Sequence, residues 1–129
     1  MLIPADPHRV PAVVDDVTRI LAANGWPEQR IMEVELALQE ALTNAIRHGS
    51  QNDPTRQVQC VLKCHDTSCV MLTVRDSGQG FEAATVANPL SPENVLKPGG
   101  RGIFLINNLM DEVAYRDGGR EVHMIKRRD

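Results

Sequence analysis

Glu40-Ala41-Leu42-Thr43-Asn44-Ala45-Ile46-Arg47-His48 is the stretch on which the reading of this chain turns. Leu42 and Ala45 continue a series that includes Val34 and Leu38, so the stretch reads as the end of an amphipathic helix. Glu40, Asn44 and His48 stand at every fourth position and share a second, polar stripe. A carboxylate can take a proton, and an amide oxygen is a hard ligand suited to magnesium. Taken alone, the same stripe also describes an ordinary solvated helix face.

Working back toward the N-terminus, this helix opens at Pro27-Glu28. Its buried stripe should be Ile31, Val34, Leu38, Leu42 and Ala45, with Ala41 allowing close approach. Glu33, Glu40, Asn44 and His48 fall off that stripe, and Gly49 ends the helix. An earlier helix starts with Asp6 as N-cap and Pro7 at the first helical position. Val10, Val13, Val14, Val17, Ile20 and Leu21 carry it to about Ala23, and Asn24-Gly25 stops it. Met1 to Ala5 reads as the end of an edge strand.

Downstream, Gln57 to His65 and Cys69 to Arg75 alternate with period two around the turn Asp66-Thr67-Ser68, which predicts an antiparallel hairpin. Cys60 and Cys64 lie on its apolar face and read as small core residues. A third helix follows Gly99-Gly100-Arg101-Gly102, with Ile103, Leu105, Ile106, Leu109 and Met110 on its apolar side and its end near Asp111. Glu112 to Tyr115 and Arg120 to Lys126 form a second hairpin around Asp117-Gly118-Gly119. The order is (β)ααββ, a long connection, then αββ. It predicts an α+β fold: a two-layer α/β sandwich with a mixed, mostly antiparallel sheet and helices on one face.

Composition narrows the function. A chain of 129 residues is the size of one domain, here taken as 1–129. With 3% aromatics the core must be aliphatic. A net charge of −3 gives no electrostatic case for nucleic acid or anionic membrane. The basic run Lys126-Arg127-Arg128 reads as a solvated tail. No apolar run approaches the roughly 18 residues of a membrane span, and Pro4, Asp6 and Pro7 argue against a signal peptide. Cys60, Cys64 and Cys69 read as free thiols in a cytoplasmic protein.

Two glycine motifs give the polar helix stripe a context. Asp76-x-Gly78-x-Gly80 closes the second strand of the first hairpin. Asp76 can accept a hydrogen bond from an exocyclic amine such as that of adenine, and glycine lets backbone approach a ligand closely. The same residues also suit a plain strand-ending turn. Gly100-x-Gly102 opens a helix, where exposed N–H groups and the helix dipole favour an anion. Arg101 can add charge there. Between them a stretch over about 82–99 contains Pro89, Pro92 and Pro98 and has the length of a functional lid.

Glu-x-x-x-Asn-x-x-x-His, Asp-x-Gly-x-Gly, a lid and Gly-x-Gly, in that order, resemble the GHKL superfamily of ATP-binding domains, which includes gyrase, MutL and the histidine kinases. Within it the chain is most similar to the RsbW-type anti-sigma-factor serine/threonine-protein kinases, on Glu35 to Ala45, Gly100 to Ile106 and Met110 to Val113. The resemblance implies a Bergerat-type fold that binds ATP and magnesium. It implies that Asn44 coordinates the magnesium and that Glu40 is the general base toward a protein serine. Asp76 would hold the adenine amine, with Gly78 and Gly80 shaping the pocket. Gly100, Arg101 and Gly102 would hold phosphates, and His48 would line the phosphate side. It further implies an anti-anti-sigma (STAS-type) protein and a sigma factor as partners, and a homodimer. A nucleotide-gated binding module without kinase activity and a detached histidine-kinase-like ATPase domain are the alternatives. Two departures stand out: Met124-Ile125-Lys126 where relatives often carry Met-Thr-Lys, implying a lost adenine contact, and a short first strand, which counts against dimerisation through that strand.

Overall fold

The structure is a computed structural model that describes residues 1–49, 53, 55–65, 68–76 and 98–129. The N-terminal strand β1 (Leu2–Pro4) gives way to a 3-10 turn over Pro7–Arg9. Asp6 makes that change: its side chain accepts a hydrogen bond from the His8 backbone N–H at 3.0 Å. Helix α1 (Val10–Ala23) follows and buries Val10, Val13, Val14, Val17 and Leu21. Ile20, expected on that stripe, is 42% exposed, so the apolar face is narrower than the sequence implies.

The stop after α1 is a Schellman motif. Gly25 takes φ 77°, a left-handed conformation that disfavours side chains. The Gly25 N–H donates to Ala22 O at 3.1 Å and the Trp26 N–H to Leu21 O at 3.1 Å. Trp26 and Leu21 are both buried, which adds the hydrophobic contact usual for this motif. The chain is thereby turned back into α2 (Glu28–Asn44), which packs on α1. Helix α2 buries Val34, Ala37, Leu38, Ala41 and Leu42. Ile31 is only partly buried, at the rim of that core. Its last α-helical residue is Asn44; Ala45–Gly49 widens into a single π turn.

Strands β2 (Gln57–His65) and β3 (Cys69–Asp76) form the expected antiparallel hairpin. Helix α3 (Pro98–Leu109), β4 (Glu112–Arg116) and β5 (Glu121–Arg127) complete the described chain. The turn between β4 and β5 holds positive φ at Asp117, Gly118 and Gly119. The sheet runs β1-β2-β3-β5-β4, and all four described ladders are antiparallel.

The register sorts the two faces. Leu72 lies opposite Leu62 and Met124, and Met124 opposite Val113, so these share one face. That face carries Val58, Cys60, Val70, Val74 and Val122 into one core with the buried residues of α1 and α2 and with Ile106 and Met110. Helices therefore cover one side of the sheet. The other side carries a polar cluster: Thr73 Oγ1 meets His123 Nδ1 at 3.1 Å, His123 Nε2 meets Glu121 at 2.9 Å, and Arg75 reaches Glu121 and Asp117.

Two expectations about the sheet change. Cys64 shares the inward face but is exposed, although its cross-strand neighbour Val70 is buried. Lys126 is no tail residue: it is 3% exposed. Alternation from Val122 and Met124 places it on the helix-facing side. There its ammonium group bonds the Glu33 carboxylate of α2 and the Leu109 carbonyl that ends α3. Glu33, read as lying off the buried stripe, is thus the α2 anchor of β5.

Candidate functional site

Glu40 and Asn44 stand one helical turn apart near the end of α2, and both are partly buried. The buried residues Ala37, Leu38, Ala41 and Leu42 flank them on the same helix and hold it against the core. The π turn begins at the residue after Asn44. Such turns insert an extra residue into a helical turn and recur at functional sites. His48 lies within it, and its side chain falls outside the described part of the chain.

Asp76 is the last residue of β3, next to the sheet's central ladder. Its N–H donates to Arg120 O at 2.9 Å, which fixes the strand end against the start of β5. It is only 7% exposed and lies on the helix-facing side, opposite Val58. Asp76 and Lys126 are the buried charged residues among those described. Asp76 ends the strand whose inward residues Val70, Leu72 and Val74 face the helices. The π turn after α2 packs against β3, so the end of α2 and the strand that carries Asp76 share one region.

Gly78, Gly80 and nearly all of the expected lid, up to residue 97, lie outside the described residues. Gly100, Arg101 and Gly102 fall in the first turns of α3, which begins at Pro98, two residues inside the expected lid. Counting from Pro98, the backbone N–H groups of Gly99 and Gly100 belong to the unpaired first turn of the helix. The side chain of Arg101 is outside the described part.

The Glu33–Lys126–Leu109 contact shows how α3 is aimed. It ties the end of α3 to the first third of α2, and the two helices pack along each other. From that tie, α2 runs on to Asn44 and α3 runs back to Gly100, each roughly 15 Å at 1.5 Å per residue. The antiparallel pair therefore sends the first turn of α3 toward the Asn44 end of α2. The Lys126 hydrogen bond holds the Glu33 carboxyl below its ordinary pKa, against the opposing effect of burial.

Register also answers the departure at Ile125. It pairs with Met71 and Glu112 on the outer face of the sheet. Asp76 lies on the inner face with Val74 and Leu72. Ile125 therefore cannot be a missing contact beside Asp76, and the expectation of a lost adenine contact there is corrected. The residue that sequence reasoning overlooked is Lys126. The signal was present: two apolar residues at 122 and 124 predict an inward 126 in a strand.

A family model described as "Histidine kinase-like ATPase domain" matches residues 3–126. A serine-protein kinase RsbW from Staphylococcus epidermidis is 29% identical over 134 aligned residues, covering 98% of this chain and 84% of that protein. A serine-protein kinase RsbW from Staphylococcus aureus strain JH9 is 28% identical with the same coverage. Among solved structures, the histidine kinase domain from the Erythrobacter litoralis EL346 blue-light activated histidine kinase superposes with a TM-score of 0.58 at 18% identity. That superposition covers 95% of this chain but 59% of the other, and it speaks to the fold alone.

Proposed function

The chain belongs to the histidine kinase-like ATPase domain family, and from that premise we propose that it is an ATP- and magnesium-dependent serine protein kinase that acts as an anti-sigma factor. Its substrate on this reading is a STAS-type anti-anti-sigma protein, and its sequestered partner is a sigma factor. The single observation that carries the reading is the pairing of Glu40 and Asn44 on one side of α2, with the buried Asp76 at the end of the adjoining strand. The named activity of the Staphylococcus relatives supports it.

The donor set suits the nucleotide. A buried carboxylate recognises an amine well, because few competing waters reach it, and Asp76 is such a group for the adenine amine. The Asn44 amide oxygen is a hard ligand for magnesium. Backbone N–H groups in the first turn of α3, at Gly99 and Gly100, hold phosphate oxygens, with Gly102 further along keeping the approach open. When bound, Mg-ATP supplies the phosphoryl group and the metal charge that offsets its negative oxygens. Glu40 takes the proton from the incoming serine hydroxyl at a carboxylate oxygen. Placement and electrostatics do most of the rest. His48 and Arg101 complete the phosphate side, with Gly78 and Gly80 shaping the adenine pocket. A homodimer belongs to the same reading, though the three-residue β1 offers little edge for it.

The test is phosphoserine formation on a candidate STAS-type antagonist with ATP and magnesium. Glu40→Ala should cut the rate by 10²-fold or more while leaving Mg-ATP affinity within a few-fold. An unchanged rate removes Glu40 from the role of base. Nucleotide binding with no phosphoserine on any antagonist would leave a nucleotide-gated binding module instead.

A further inference from the structure

Helices α1 and α2 leave a groove of about 460 Å³ on their outer surface. Its apolar lining is Ala22 from α1 and Ile31 and Met32 from α2. Met32 is 49% exposed, and Leu36, one turn further along the same helix, is 45% exposed. Single exposed apolar side chains are ordinary on a surface. These two stand one turn apart on one stripe of α2, so apolar surface continues past Met32 along the helix.

The rim is acidic. Asp15 lines one side, and Glu28 and Glu35 the other. Among the described residues no Lys, Arg or His nitrogen comes within 4.0 Å of any of these three carboxylates. The cation of the lining, Arg19, is turned to Asp16 at 3.7 Å. An apolar channel with uncompensated negative charge on both banks is complementary to a ligand that is apolar on one side and positive on its flanks.

We propose that this groove docks a short basic amphipathic helix of a partner protein. The walls are two helices, so they offer no free backbone edge to an extended peptide, whereas helix-in-groove packing needs none. Glu28 and Glu35 are two helical turns apart, about 10.5 Å along the axis. Lys or Arg residues at i and i+7 of the guest helix meet them, while its aliphatic stripe covers Ile31, Met32 and Leu36. A second copy of this face is a poor occupant, because its carboxylates would meet carboxylates. The assignment is independent of nucleotide chemistry and stands whether or not the chain is a kinase.

The probe is an acetylated, amidated Leu/Lys amphipathic peptide of about four helical turns, with a Leu/Glu peptide of the same pattern as control. With methionine methyl groups labelled in the intact chain, Met32 reports the groove and Met71, on the outer sheet face, reports non-specific binding. The Leu/Lys peptide should shift the Met32 signal to saturation and leave Met71 in place. The Leu/Glu peptide should shift neither. Reversing Glu28→Lys and Glu35→Lys together should weaken the Leu/Lys peptide at least tenfold at unchanged thermal stability. Equal shifts at Met71, no shift at Met32, or an unaltered dissociation constant in the double variant would each overturn the proposal. So would a Met32 shift that depends on protein concentration without peptide, since that assigns the groove to a second copy.

Discussion

Tyr115 is the only tyrosine, so its ionisation can be followed without interference. Burial pushes its phenol up to about 12, because the charged form loses its water. A raised folded-state value means that the stability it contributes is complete below the unfolded value of about 10 and is lost as pH rises toward 12. Absorbance titration of the native protein should therefore show no phenolate at pH 10.5 and ionisation with a midpoint near the raised value, whereas the protein in denaturant titrates near 10. Stability should fall by about 1.4 kcal/mol per pH unit across that window. Native ionisation near 10 would show that the ring is solvated. The thiols make a second residue-scale check. Cys60 is buried, and burial raises its pKa; Cys64 is exposed. A thiol reagent at neutral pH should modify Cys64 first and reach Cys60 only on unfolding. Modification of Cys60 at the Cys64 rate would contradict its burial. The sequence placed both cysteines on one apolar face, correctly by parity, but parity carries no information on how fully each inward position is covered. Lys126 was legible by the same parity and hidden by its neighbours: beside Arg127 and Arg128 it reads as a charge run.

Helices and hairpins were readable because their signals are local: apolar period, the Asp6 cap, and Gly25 and Gly118 at positive φ. The insertion of β5 between β3 and β4 was not. It depends on Cys69 to Arg75 pairing with residues about fifty positions away, and no propensity encodes that. What secures β5 from the helix side is the Glu33–Lys126 pair. The two partners are unequal, with side-chain exposures of 18% and 3%. Glu33→Leu leaves a buried ammonium with the Leu109 carbonyl as its remaining partner and should cost on the order of 3 kcal/mol. Lys126→Met leaves a carboxylate that can still reach water and should cost less. Urea unfolding of both variants decides it; equal costs, or a larger cost for Lys126→Met, would mean that the pair is solvated. The pH dependence has a fixed sign. The Glu33 pKa is lowered on folding, first by the Lys126 hydrogen bond, so its stabilisation is full above the ordinary carboxylate range and fades as pH falls through it. The stability gap between wild type and Glu33→Leu should therefore hold from pH 7 down to about pH 5 and narrow as pH falls below the ordinary carboxylate value.

At the scale of the molecule, the candidate site draws on parts of the chain that touch nothing in common in sequence: Asn44 at the end of α2, Asp76 at the end of β3 and Gly100 at the start of α3. Their residue types were legible because each sits at a helix or strand terminus, where polar and glycine residues are expected to mark either a turn or a ligand. That their elements pack together was not legible from spacing; it follows from the α2–α3 packing tied by Lys126 and from the π turn lying on β3. A ligand that spans all three should stabilise the whole fold. Bound at a hundred times its dissociation constant it adds about 2.7 kcal/mol, which for a chain of this length is a rise in Tm on the order of 10 °C. Mg-ATP should produce that shift in wild type. Asn44→Ala should abolish the magnesium-dependent part and leave the smaller shift given by ATP with chelator. Asp76→Asn should lose both, because an amide in the place of a buried carboxylate presents a donor to the adenine amine in one orientation and a weaker acceptor in the other. Wild type that shows no shift in millimolar Mg-ATP would remove the nucleotide from this site. An Asn44→Ala shift equal to wild type would instead move the metal to another ligand while leaving the nucleotide reading in place.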